Sequence, residues 1–330
     1  MILSGDNAAH VQQAAQALCS GELVGLPTET VYGLAADACN VAAVAKIFQA
    51  KGRPVNHPLI VHVADAPTAM HFAAQVPDFA CSLMAAFWPG PLTLILPRKP
   101  EQAAAAAGGQ ASVGLRCPSH SVAQQVLKAC AEKGVWGLAA PSANVFGRVS
   151  PTSAAHVQSE FSNVLLILDG GECQVGIEST LIDCTRGQPV MLRPGHISRM
   201  QIEQACGMKV RDPQDLDSQA PRASGTLESH YAPKAKVRLM TENAWRKALL
   251  ALGPHTQNLA LWSAEKPDES LLGAGLLWRA MPTQADQAAH DLFAVLRDFD
   301  AHAASIIWVE MPPHTPEWEG VRDRLQRAAA

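Results

Sequence analysis

The chain has 330 residues, 48% hydrophobic and 17% charged, enough for a sizeable core and a length that favours two domains. A net charge of −4 with no Lys/Arg run excludes non-specific nucleic-acid binding, which draws its affinity from many phosphate contacts, but leaves room for a small specific RNA patch. No apolar run can span a bilayer, no signal peptide is visible, and the eight cysteines form neither CxxC nor zinc spacing, so a soluble cytoplasmic protein with reduced thiols is expected.

Residues 7–19 read as a helix with Val11, Ala14, Ala15 and Leu18 on one face. The apolar run 23–26 reads as a buried strand that stops at Pro27, before the polar loop Thr28-Glu29-Thr30. A helix follows with Val41, Val44, Ala45 and Phe48 on one face, ended by Gly52 and Pro54. Its end carries Lys51 and Arg53. Residues 59–63 read as a strand with His62 inside it.

Residues 66–87 read as one or two helices broken at Pro77, then a Trp88-Pro89-Gly90-Pro91 turn and a strand at 92–96. An Ala/Gly-rich loop with some helix is expected at 101–111, a strand at 113–116, and a helix at 121–131 capped by Ser119 or Ser121. The strand 135–140 runs into Pro141-Ser142-Ala143-Asn144, and Ser150-Pro151-Thr152 reads as the start of another helix. A strand at 164–168, a hairpin of 177–184 with 190–193, and a helix at 198–206 complete a mixed α/β half. Residues 211–234 are Pro/Asp/Ser-rich and read as an ordered linker or lid. Beyond it, strands (237–240, 258–262, 276–280, 305–310) alternate with helices (243–252, 283–302, 317–328). That pattern predicts a small parallel sheet with helices on both faces, Thr283 capping the long helix.

Two cations one residue apart beside a hydroxyl-rich loop suit phosphate oxygens, Lys as a point charge and Arg as a planar fork. Taken alone, such a pair more often only complements the negative end of the helix dipole. Five hydroxyl- or cation-bearing loops read as following apolar strands: 28–30, 51–53, 112–116, 142–144 and 179–180. Strand ends are where open α/β sheets place ligands, though each loop singly reads as an ordinary turn.

Together these stretches resemble the YrdC/Sua5 family, the threonylcarbamoyl-AMP synthases. The matching residues are Pro27 to Leu34 (PTETVYGL), Lys51-Gly52-Arg53-Pro54, His57-Pro58-Leu59 with His62, and Trp88 to Thr93 (WPGPLT). They continue with Gly114 to Pro118 (GLRCP), Pro141-Ser142-Ala143-Asn144 with Gly147, Ser150-Pro151-Thr152, Glu178-Ser179-Thr180 and Leu192 to Gly195 (LRPG). The KxR and SxN signature stands as Lys51, Arg53, Ser142 and Asn144. Ser229-His230-Tyr231-Ala232-Pro233 resembles the His-Tyr-Ala-Pro element of the longer, Sua5-type members.

The resemblance implies a YrdC-like mixed, twisted α/β sheet domain at 1–210, a linker or lid at 211–235, and a small Rossmann-like parallel α/β domain at 236–330. It implies condensation of L-threonine, bicarbonate (or CO2) and ATP to threonylcarbamoyl-AMP and pyrophosphate, with Mg2+ accompanying ATP. The product would pass to the tRNA threonylcarbamoyl transferase machinery for modification of adenosine 37 in ANN-decoding tRNAs, with at most weak tRNA contact by this chain. Carried over by position, Lys51, Arg53, Ser142 and Asn144 are the catalytic set. Those four with His57, Ser112, Ser150, Arg193 and Tyr231 bind ATP, and Thr30, His62, Arg116, Ala140 and Ser179 hold threonine. No protein metal ligands are expected. Competing readings are a YrdC-type RNA-binding module in tRNA or ribosome maturation, and a carbamoyl-transfer enzyme of the hydrogenase-maturation kind. The latter carries zinc-finger-like cysteines and an acylphosphatase-like domain that this sequence lacks.

Overall fold

The computed structural model describes residues 1–162, 165–216, 221–223, 225, 231–253, 258–268 and 275–330. Val164, Ser224, 226–228 and the Ser229-His230 part of the His-Tyr-Ala-Pro element lie outside the described residues. The chain divides into two compact units, Met1–Phe146 with Ser150–Thr226, and Gly147–Val149 with Leu227–Ala330.

The first unit runs β1 (Ile2–Ser4), α1 (Ala8–Cys19), β2 (Val24–Leu26), β3 (Gly33–Asp37), α2 (Val41–Lys51) and β4 (Ile60–His62). It continues with α3 (Ala66–Ala69), α4 (Asp78–Phe87), β5 (Leu92–Pro97), β6 (Ser112–Arg116), α5 (Ser121–Ala131), β7 (Leu138–Ala139) and α6 (Ala154–Phe161). β8 (Leu166–Asp169), β9 (Thr180–Asp183), β10 (Val190–Arg193) and α7 (Arg199–Cys206) close it. One ten-stranded mixed sheet results, in the order β1-β8-β2-β3-β7-β4-β6-β5-β9-β10.

Strand alternation sorts the side chains of this sheet. Val61, Leu94, Leu115 and Ile182 enter one core with α2, α4 and α7. On the other face, α1 and α5 cover Val24, Leu26, Leu138 and Leu168. His62 pairs with Leu138 and with Arg116, so these side chains share that second face. Over β4, β6, β5 and β9 the cover comes from loops: Ala223 packs on Ile95 and Leu181. The side-chain amide of Gln110 clasps the backbone of Arg222 in both directions, at 3.0 and 2.8 Å.

Several expected elements shift. β1 and β3 are additional strands; Gly-Leu-Ala-Ala-Asp lacks the β-branched residues that announce a strand, and its antiparallel pairing with β2 makes it one. The expected strand 135–140 contracts to Leu138–Ala139, and 101–111 forms turns without a helix. Ser150-Pro151-Thr152 does not start a helix: α6 begins at Ala154, capped by Ser153. The carbonyls of Pro151 and Thr152 instead accept from Tyr32 and Cys173. His120, not Ser119 or Ser121, caps α5 through its ring nitrogen. The polar loops also do not share one sheet edge. β7 runs antiparallel to β4 and β6 parallel to it, so the segments after β7 and β6 leave in opposite senses, and 112–116, expected as a polar loop, is β6 itself. His62 and Arg116, register partners on β4 and β6, stand instead on one face of the sheet.

The second unit holds β11 (Lys236–Met240), α8 (Glu242–Leu252), β12 (Leu259–Ser263), β13 (Leu276–Ala280), α9 (Ala285–Ala301), β14 (Ile306–Glu310) and α10 (Glu319–Ala329). Its four strands are all parallel, in the order β11-β14-β12-β13. α8 packs Trp245 and Leu249 on Leu259, Leu261 and Trp308, while alternation buries Ala260, Ile307 and Val309 on the opposite face. α9 starts after Gln284 with no side-chain cap, so Thr283 does not serve there.

One backbone approach fixes the turn after β10. A Cβ on Gly195 would sit 2.4 Å from the Thr180 amide nitrogen and 2.8 Å from the Glu178 carbonyl oxygen. Neither backbone atom can swing aside, so Gly195→Ala should destabilise the first unit by about 2 kcal/mol or more, as overpacking does. Urea unfolding checks this; a wild-type midpoint would contradict the packing.

Candidate active site

α2 ends with Gly52 in the left-handed region, φ 60°, which turns the chain sharply. Lys51, one residue earlier, is only 1% exposed. Its Nζ donates to the Ser142 carbonyl at 2.6 Å and to the Asn144 carbonyl, and the Phe146 amide donates back to the Lys51 carbonyl at 2.9 Å. Burial, reinforced by Arg53, holds the ammonium pKa well below its ordinary value, with Glu160 opposing. Arg53 donates from Nη2 to the Pro58 carbonyl at 3.0 Å and lies 5.3 Å from the centre of the Phe146 ring. His57 meets that ring edge-on at 5.4 Å. Burial and then the cations Arg53 and Arg222 lower the His57 pKa. The helix end and the Ser-Ala-Asn turn, some ninety residues apart, thus close on each other through Lys51.

The second cluster contains opposite charges. Arg116 Nη2 lies 2.7 Å from Glu29 Oε1, with both side chains buried. The contact is an ion pair by distance, but its angles miss those of a hydrogen bond. Both Glu29 oxygens, Arg116 Nε and Nη2, and His62 Nδ1 have no hydrogen-bond partner among the described residues. Buried charge costs several kcal/mol per ion unless hydrogen bonds satisfy it. Burial first, then Arg116, pull the His62 pKa down from 6.5 to about 3, with backbone contacts to Ile60 and Leu138 opposing.

Around these charges stand hydroxyls. Ser179 Oγ is 2.7 Å from Thr93 Oγ1 and accepts from Arg193 Nη2 at 3.2 Å. Arg193 also donates twice to the Ser179 carbonyl, at 3.1 and 2.9 Å, so it braces this loop. Ser150 donates to Glu178 Oε1 at 2.5 Å. Thr30 Oγ1 is 3.0 Å from Thr28 Oγ1, which donates to the Val31 carbonyl at 2.6 Å. Backbone bonds knit the loops together: Ala143 to Tyr32, Tyr32 to Pro151, and Val175 to Glu29. Ala140 is 6% exposed and faces Gly33, where an added Cβ would meet its methyl at 3.1 Å. Ser112 lines a small cavity with Pro58, Ile60, Gly114, Arg222 and Ala223.

The structure thus gathers Lys51, Arg53, Ser142 and Asn144 in one cluster. It sets His62 beside Arg116, with Thr93 on β5 and Ser179 in the loop just before β9. Tyr231 lies in the second unit, its φ 63° and its ring 5.4 Å from those of Phe293 and from the Arg324 guanidinium. Its assignment to the nucleotide rests on the family motif. Glu29, Thr93, Phe146, Glu178 and Arg222 were not among the expected site residues. Glu29, Thr93 and Glu178 stand inside recognised motifs, which is the signal that could have found them.

Because His62 is neutral when folded but titrates at 6.5 when unfolded, the unfolded chain binds more protons between about pH 6.5 and 3. Stability contributed by this residue is intact above pH 6.5 and falls as pH drops through that window. At pH 5 the loss is about 2 kcal/mol relative to pH 8. His62→Gln should remove it, so the stability gap between variant and wild type moves by that amount in the variant's favour. A gap independent of pH, by urea unfolding at pH 8 and 5, would contradict the neutral buried imidazole.

A family model described as "Telomere recombination", the Sua5/YciO/YrdC domain, matches residues 16–195. A second, described as the C-terminal domain of threonylcarbamoyl-AMP synthase, matches residues 197–330. The chain is 35% identical to the threonylcarbamoyl-AMP synthase of Pyrococcus abyssi, over 97% of this chain and 94% of that one. It is 36% identical to the Bacillus subtilis protein of the same name, over 98% and 94%. Among solved structures, P. abyssi Sua5 complexed with L-threonine superposes with a TM-score of 0.86 at 33% identity, covering 98% of this chain and 95% of that one. A double variant of the same protein gives 0.89 at 32% identity, covering 100% and 96%. No helix among the described residues is long and apolar enough to cross a membrane. With both models tiling the chain and the lysine, arginine, serine and asparagine of the signature meeting around one helix end, this protein belongs to the Sua5/YrdC family.

Proposed function

We propose that the chain is an L-threonylcarbamoyladenylate synthase, a nucleotidyltransferase that joins L-threonine, bicarbonate or CO2, and ATP, and releases pyrophosphate. The observation that carries the reading is the closure of Lys51 on the Ser142–Asn144 turn, taken together with a buried Arg116 whose Nε has no hydrogen-bond partner among the described residues. One cluster suits a polyphosphate and the other a small amino acid. Full-length relatives at about 35% identity carry this enzyme name, and one of them has been solved with L-threonine.

In this reading the threonine amine adds to CO2 and loses a proton, giving a carbamate. A carbamate oxygen then attacks the α-phosphorus, the bond to the β,γ-unit breaks, and pyrophosphate leaves. The nucleophile is the substrate itself, so the protein supplies position and charge rather than a nucleophilic side chain. Arg53 and Lys51 neutralise the triphosphate, and Ser142, Asn144, Ser150, His57 and Ser112 hold nucleotide and phosphate oxygens. Arg193 keeps the Ser179 loop in place. Arg116 forks the threonine carboxylate, Thr30, His62 and Ser179 meet its polar groups, and Ala140 is a wall. Mg2+ would accompany the triphosphate and add to the charge neutralisation that Lys51 and Arg53 supply. The product would supply tRNA threonylcarbamoylation at adenosine 37.

The test is pyrophosphate release by the full chain with ATP, Mg2+ and bicarbonate. Release should require L-threonine, and Arg53→Ala should lower kcat/KM at least about a hundredfold, the scale of losing one preorganised charge contact. Release indifferent to threonine would reject the synthase reading, as would tight tRNA binding without turnover. Lys51→Ala is a poorer probe, because it also strips two buried carbonyls of their donor.

A further inference from the structure

We propose that Glu29 is the receptor for the substrate's α-ammonium group, so that the buried Glu29–Arg116 pair reads the zwitterion of a free amino acid. The inference deepens the synthase reading and rests on it. Glu29 is 2% exposed and Arg116 4% exposed, and their nearest atoms are 2.7 Å apart. Were the pair merely structural, its cheapest arrangement would saturate both ions with mutual or backbone hydrogen bonds. Here both carboxylate oxygens and two guanidinium nitrogens have no hydrogen-bond partner among the described residues.

The backbone around Glu29 is fixed. Its carbonyl accepts from the Val175 amide at 2.7 Å, and Thr28 pins the following turn through the Val31 carbonyl. The carboxylate is thus presented rather than loosely placed. An α-amino acid carries its own opposite charges about 3 Å apart, close to the separation of the two partners here. Its carboxylate completes the Arg116 fork, and its ammonium donates to the oxygens of Glu29. The ligand enters with no net charge, so the buried site keeps its neutrality. His62, held neutral beside Arg116, adds no competing cation. A desamino ligand offers Glu29 no cation, and an N-acylated one offers no charge there. Free α-amino acids are selected by the amine as well as by the side chain.

The probes are L-threonine and its 2-hydroxy analogue (2S,3R)-2,3-dihydroxybutanoate, in which a neutral hydroxyl replaces the ammonium, titrated calorimetrically into the full chain. In wild type the analogue should bind at least about tenfold more weakly, the scale of one lost hydrogen bond between charged groups. Glu29→Gln should weaken threonine by about tenfold to a hundredfold and leave the analogue within about threefold. Glu29→Asp, which keeps the charge on a shorter stem, should lose less. Equal losses for both ligands would overturn the proposal and leave Glu29 as a prop for Arg116, while unchanged threonine affinity would overturn it outright. The wild-type comparison needs no variant, so a poorly folding Glu29→Gln still leaves parity of the two ligands as a refuting result. Wild type that binds neither ligand would instead refute the synthase reading beneath it.

Discussion

The structure turns on burying opposite charges where a sheet has lost its helical cover. α1 and α5 protect one end of the sheet's second face, and over β4, β6, β5 and β9 loops take over. Helices cover a sheet with apolar side chains, whereas loops bring backbone carbonyls and hydroxyls. That exchange lets His62, Arg116 and Thr93 occupy strand positions that would otherwise be apolar. The Glu29–Arg116 pair is the costliest part of the arrangement, since each ion loses its water.

Lys51 solves a related problem at the helix end. A helix leaves its last carbonyls without partners, and a turn such as 141–146 does the same. The ammonium donates to two of the turn's carbonyls, and the turn's Phe146 amide donates to the lysine's own carbonyl. The signature lysine is therefore structural and electrostatic at once. Its low pKa follows from the burial that this closure demands.

Much of this was legible in the residues. The amphipathic face of α1, the glycine stop at Gly52, and the β/α alternation after residue 235 emerge as expected, whereas α2 buries Ala43, Val44, Ile47 and Phe48 and leaves the expected Val41 and Ala45 exposed. The KxR and SxN motifs named their own partners. Less legible were elements whose state is set by neighbours. β3 is rich in alanine, and β7 is two residues long; each is a strand only because adjacent strands pair with it. Ser150-Pro151-Thr152 has the composition of a helix start, yet its carbonyls serve distant loops. Glu29 carried no periodic signal, since a charged loop residue reads as solvated until a guanidinium is found beside it.

The most direct measurement is NMR of the full chain turning over 13C-bicarbonate with ATP, Mg2+ and L-threonine. If one pocket holds the nucleotide beside the amino acid, a carbonyl 13C resonance split by coupling to a single 31P should grow only when threonine is present. Pyrophosphate appearing without any 13C signal coupled to phosphorus would contradict the shared pocket.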